Sequence, residues 1–161
     1  MFMFPVIKRI SEKKLMGKRM PMSHSDYRIG ELWAGFMPRR KEIFSHLSGD
    51  LISLAVYPPA FFEQYSPSRP FERWAAVEVS DFNQVPGEMD TYILPGGLYA
   101  VFQFRGTDAG MAAFYQHIFK VWLPGSDYVL DDRAHFEMLG EKYKRNDPDS
   151  EEEIWIPVRG K

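Results

Sequence analysis

The chain has 161 residues, no cysteine, and a formal charge of -2 from 20 basic and 22 acidic side chains. That length suits one domain, the missing thiols exclude a disulfide framework, a thiolate zinc site and a cysteine nucleophile, and the near-neutral balance offers no basic face for nucleic acid. No apolar run reaches the roughly 18 residues a membrane span needs. Lys8 and Arg9 follow the short apolar start with no small-residue cleavage pattern, so a cytoplasmic protein without a signal peptide is expected.

Lys14 to Met22 reads as a first strand, and Ser23 to Ser25 supply helix-capping chemistry before a periodic segment near Asp26. Ile29, Leu32, Trp33 and Phe36 recur at helical spacing. Pro38 bends or breaks that helix, Ile43 and Leu47 continue its stripe, and Gly49 ends it. Leu51 to Tyr57 is a short apolar run stopped by Pro58-Pro59, and Phe71 to Ser80 alternates as a strand after a proline-rich loop.

After a strand-like Thr91 to Leu94, Gly96-Gly97 turns the chain into a strand from Leu98 to Arg105. Thr107-Asp108 caps a predicted helix to about Trp122, closed by Pro124-Gly125, and alternating segments follow at His135 to Tyr143 and Glu151 to Val158. The order strand-helix-strand-strand thus occurs twice, with residues 1–80 as first repeat, 81–95 as connector and 96–161 as second repeat of a single domain, 1–161. The expected fold is α+β: a tandem pair of such units forming a mixed, mostly antiparallel sheet, two main helices on one face and a ligand cleft between the units.

Alternation puts His135, Glu137 and Leu139 on one strand face and Phe136 and Met138 on the other, so Glu137 stands in an otherwise apolar stretch. Glu151, Glu153 and Trp155 share a face of the last strand, and Trp74 and Glu78 one of the Phe71 strand. A carboxylate among aromatic rings can pair with a cationic ligand or serve as a general acid or base; on a solvated sheet face it does neither, and that reading stands for Glu78 and Glu153 on sequence alone. The four histidines, His24, His46, His117 and His135, lack metal-ligand spacing, so no metal is expected. Ser23 and Ser25 beside His24 are read as capping residues rather than a nucleophile with its base, and Arg39-Arg40-Lys41 as a solvated helix face.

Gly96-Gly97-Leu98-Tyr99-Ala100-Val101, the segment Phe114 to Pro124 with its Trp-Leu-Pro ending, Phe136-Glu137, and Glu153-Ile154-Trp155-Ile156-Pro157-Val158 occur in an order and spacing that resembles the GyrI-like domains. These domains also serve as effector-binding parts of AraC-type and multidrug-responsive transcription regulators. The resemblance covers nearly the whole chain and implies the same tandem fold. It also implies that Glu137 lies at the base of a pocket for lipophilic, often cationic ligands. Tyr27, Trp33, Trp74, Tyr99, Trp122 and Trp155 are candidates for its aromatic walls, with Glu153 a further ligand-binding candidate.

Two functions follow from the resemblance. One is a stand-alone small-molecule binding module, since the stretch before Lys14 is too short for a DNA-binding segment; it would act alone, as a homodimer, or with a separate DNA-binding partner. The other is a hydrolase of strained-ring, cyclopropanoid electrophiles with Glu137 as the catalytic group. The family tyrosine two residues after the glutamate is Leu139 here, which counts against a tyrosine-assisted mechanism. No cofactor and no membrane partner is expected, and an unliganded Glu137 would be protonated, in contact with water, or bonded to a phenol such as Tyr99.

Overall fold

Period-two alternation of apolar residues builds a single sheet that divides the interior into a helix side and an opposite side. The computed structural model describes residues 4–161. In chain order the elements are β1 (Val6–Ile10), β2 (Lys13–Met22), α1 (Ile29–Phe36), β3 (Leu51–Val56), β4 (Phe71–Val79), β5 (Asp90–Leu94), β6 (Gly97–Arg105), α2 (Asp108–His117), β7 (Tyr128–Leu130), β8 (His135–Leu139) and β9 (Glu151–Gly160). The strands lie in the order β1-β6-β9-β8-β3-β4-β2-β5, with β7 added to β9. Their pairings are antiparallel throughout the described residues.

The repeat is a two-fold of the sheet. Its axis falls at the central β3–β8 pairing of Leu54 with Phe136; outward from it Leu54 pairs with Trp74 and Phe136 with Trp155. The likeness extends to side chains, because Trp74 Nε1 donates to Glu72 at 2.6 Å and Trp155 Nε1 to Glu153 at 3.2 Å. The units also exchange outer strands: β1 pairs with β6 of the second unit, and β5 with β2 of the first. Sequence reading leaves out β1 and β7 and sets β5 in the connector, whereas β5 completes the first unit's sheet.

Local chemistry explains the remaining differences. Pro38 occupies the start of a 3-10 segment, Met37–Glu42, so α1 ends at Phe36. Beyond it Ile43 turns extended and is buried while Leu47 is exposed, so the helical stripe does not run on to Leu47. The second helix does reach Trp122, but through a π-turn at Ile118–Trp122, and a last turn at Leu123–Gly125 follows. β8 stops at Leu139 because a turn begins at Gly140, whose carbonyl accepts from Tyr143 N at 3.1 Å. Ser23 closes a turn, accepting from Asp26 N at 3.0 Å, and α1 starts later without a side-chain cap. Thr107 does not cap α2 either; the amide of Asp108 donates to Asn146 Oδ1 at 3.3 Å.

On the helix side α1 packs through Leu32 and Phe36 against Met16, Ala75 and Val77, and α2 through Phe114 and Ile118 against Phe102, Ile154 and Ile156. The opposite face buries Leu54, Trp74, Tyr99, Phe136 and Trp155. Gly17 is required where β2 crosses β4, since a Cβ there would run into the Ala75 carbonyl and stand 2.6 Å from Ala76 Cα.

Candidate functional site

The first helix lies over β2 and β4 and the second over β6 and β9, so the central pair β3–β8 forms a seam between them. Cross-strand register lays out its floor. Arg73, Ala55 and His135 form one row, and Ala75, Ser53, Glu137 and Ile154 the next, all facing the helices. Glu152, two residues before Ile154 on β9, joins the same face diagonally from Glu137.

Rings from both units close over this floor. Tyr57, at the end of β3, sets its ring 4.9 Å from His135 and 4.8 Å from both Phe61 and Phe62. Phe62 stacks on Phe119 of the second unit at 5.9 Å, and Phe119 stacks on Tyr115 at 6.3 Å. Tyr115 and Phe119 are four residues apart and pack at the edge of the second unit's core toward the seam, whereas Phe114 and Ile118 lie fully inside that core.

Polar groups inside these rings are few and strongly perturbed. The Tyr115 hydroxyl donates to Glu137 Oε1 at 3.0 Å. Arg73 is 7% exposed; its Nη2 donates to Ser53 Oγ at 2.6 Å, while its Nε is buried without a partner. Among the described residues Arg73 enters no ion pair.

Burial pushes the Tyr115 phenol well above its ordinary value, and the negative charge of Glu137 adds to this. Burial pushes Tyr57 up to about 12. His135 is held down at about 3 by burial and then by the charges of Arg73 and Arg133, so its imidazole is neutral. Glu152 is pushed up to about 8, first by burial, then by the charges of Glu137 and Asp108 and by a hydrogen bond with Glu137. The site therefore sets two carboxyl groups side by side, Glu137 bonded to a phenol and Glu152 pushed toward its protonated form.

Of the residues singled out in the sequence, Glu137 stands on the seam floor. Tyr27 is half-exposed at its rim, where the charges of Arg73 and Glu137 act on its phenol in opposite directions. Trp33 packs edge-on against Phe36 at 5.8 Å in the first unit's core. Trp122 lies in the second, 5.2 Å from Phe102 and stacked on Tyr128 at 6.4 Å.

Strand alternation turns Trp74, Tyr99, Glu153 and Trp155 to the opposite face, away from Glu137. Tyr99 consequently is not the phenol that meets the glutamate; its hydroxyl donates to the Ala134 carbonyl at 3.2 Å, and Tyr115 takes the expected role. The sequence reading overlooked Arg73, Tyr57, Phe61, Phe62, Tyr115 and Phe119. For Arg73 a signal existed: it alternates with Phe71 and Ala75 on an otherwise apolar strand face.

Comparison with known proteins agrees with this architecture. The chain is 28% identical over 131 residues to the transcriptional regulator BrlR of Pseudomonas aeruginosa; the match covers 81% of this chain and 46% of that regulator, so the chain spans about half its length. An integron cassette protein from the mobile metagenome of Vibrio cholerae has the same fold, with a TM-score of 0.70 at 16% identity over 98% of this chain and 97% of the other. So does SAV2435, solved bound to tetraphenylphosphonium, with a TM-score of 0.69 at 15% identity over 98% and 95% of the two chains. The GyrI-like small molecule binding domain matches residues 3–159. With nearly its whole length matched, the chain belongs to the GyrI-like small molecule binding domain family.

Proposed function

We propose that the chain binds a lipophilic small molecule in the β3–β8 seam, with Glu137 as polar anchor and Tyr27, Tyr57, Phe61, Phe62 and Phe119 as walls. The observation that carries this reading is the Tyr115–Glu137 hydrogen bond on a half-buried floor flanked by aromatic rings. A carboxylate among rings loses hydration, and one phenol satisfies only part of its acceptor capacity, so a ligand donor in contact with Glu137 gains a strong, charge-assisted bond. The likeness to a regulator supports a role as the sensing part of a transcriptional response, working through a DNA-binding partner.

The test is a thermal-shift screen of the purified protein against lipophilic cations, acids and neutral aromatics, with mass spectrometry on each hit. Stabilisation by a compound recovered unchanged is the expected result. A panel that leaves the melting temperature unmoved overturns the reading.

One observation favours a second reading, hydrolysis of strained-ring electrophiles. Glu152, held at about 8, can deliver a proton while Glu137 orients water, and Tyr115 supplies the phenol that Leu139 does not. A hit recovered with one water added, and unaltered by Glu137→Gln protein that still binds it, selects this reading.

A further inference from the structure

Arg73 is the group in the seam that a site for lipophilic cations does not require. The two-fold shows that the fold does not require it either. Its counterpart on β9 is the buried Ile154, and the counterpart of Glu137 on β3 is the buried Ala55, so the second and first units respectively fill these places without charge.

Burying a guanidinium is costly, and a single neutral hydrogen bond to Ser53 returns little of that cost. The compensation seen in most buried cations, a carboxylate in direct contact, is missing. Glu137 is the ladder partner of Ser53, yet it accepts from Tyr115, and no carboxylate of the described residues pairs with Arg73. The groups facing the guanidinium are Glu137, the neutral His135 and the phenols of Tyr27, Tyr57 and Tyr115, with His24 at the rim. Burial lowers both histidines, and the field of the guanidinium lowers them further.

The unpartnered Nε of Arg73, beside an Nη2 held by one neutral hydroxyl, fits a planar oxyanion attached to a ring, which would take Nε and compete with Ser53 for Nη2. We propose that the seam takes an aromatic carboxylic acid, whose carboxylate bonds Arg73, whose ring packs among Tyr57, Phe61 and Phe62, and whose hydrogen-bond donor at the far end reaches Glu137. This rests on the binding function proposed above and specifies its ligand class.

The test is calorimetric titration of the intact chain with four probes: 6-hydroxy-2-naphthylacetate, 6-hydroxy-2-naphthylmethanol, 6-hydroxy-2-naphthylmethylammonium and tetraphenylphosphonium. The acid is expected to bind about tenfold more tightly than the alcohol, with both cations weaker still. Arg73→Met is expected to erase the advantage of the acid over the alcohol. Tighter binding of either cation than of the acid, or an acid advantage that survives Arg73→Met, overturns the charge assignment and leaves the binding function standing. Failure of all four probes overturns both. Should Arg73→Met not fold, Arg73→Lys, which keeps the charge and loses the planar fork, replaces it: the advantage of the acid over the alcohol shrinks if the assignment is right, and is unchanged if it is wrong.

Discussion

The hydroxyl of Tyr115 and Oε1 of Glu137, 3.0 Å apart, join the helix of the second unit to its central strand at the point where the two units meet. Tyr115→Phe keeps the ring and removes the donor, leaving the carboxylate with one acceptor site unfilled. The expected loss is about 1–3 kcal/mol of folding stability, read from urea midpoints at neutral pH. An unchanged midpoint would show that solvent already satisfies Glu137.

Glu152 makes stability depend on pH in an uncommon direction for a carboxyl group. Its value in the folded chain, about 8, lies above the ordinary 4.5, so the folded state holds the proton more tightly. Its contribution is complete below the unfolded value and is lost as pH rises through the folded one. Wild-type stability should therefore fall across that window relative to Glu152→Gln, whose curve is flatter. Parallel curves would mean that the carboxyl is solvated.

His135 has the opposite slope. Its folded value of about 3 lies below the ordinary 6.5, so its contribution is present above 6.5 and is lost as pH drops toward 3. His135→Phe, which keeps an aromatic ring beside Tyr57 and Phe62, should resist acid better than the wild type. Imidazole carbon shifts in NMR spectra give a direct check, since they should report a neutral ring at pH 5; a protonated ring there would contradict the burial.

Trp74 and Tyr27, both read from the sequence as wall candidates, should respond differently to mutation. Trp74→Ala opens a hole in the fully buried opposite face and should cost about 3–5 kcal/mol, with ligand affinity intact in whatever fraction stays folded. Tyr27→Phe at the exposed rim should leave stability within about 0.5 kcal/mol while changing affinity for polar ligands. If Trp74→Ala were harmless to folding and abolished binding, the ligand would lie on the other side of the sheet.

Much of the fold was legible because it rests on local signals. Leu51 to Tyr57, Phe71 to Ser80 and Leu98 to Arg105 alternate or run apolar as strands do, and the helical spacing of Ile29, Leu32 and Phe36 survives unchanged. The strand β1 was not legible, since its residues are largely exposed and owe their conformation to a partner some ninety positions later, β6. The site shows the same division. Glu137 is proposed from alternation together with a family motif, but which rings lie on its side of the sheet depends on the face each strand turns to the helices. That choice sends Trp74, Tyr99 and Trp155 one way and Arg73 the other. Phe61 and Phe62 carry no periodicity at all, because a loop after Pro58-Pro59 delivers them.

The exchange of outer strands fixes how the protein can make room for a guest. Swinging the halves apart like a book would peel β1 from β6 and β5 from β2 as well as β3 from β8, five registered residue pairs in each case. That is tantamount to unfolding, so the sheet acts as a rigid back plate and accommodation falls to what stands on it: the Phe62–Phe119 stack and the loop from Pro58 to Pro70. In the proposed seam, guests would be sized by ring rotation rather than by hinge angle, and variants of Phe62 and Phe119 would change which molecules fit.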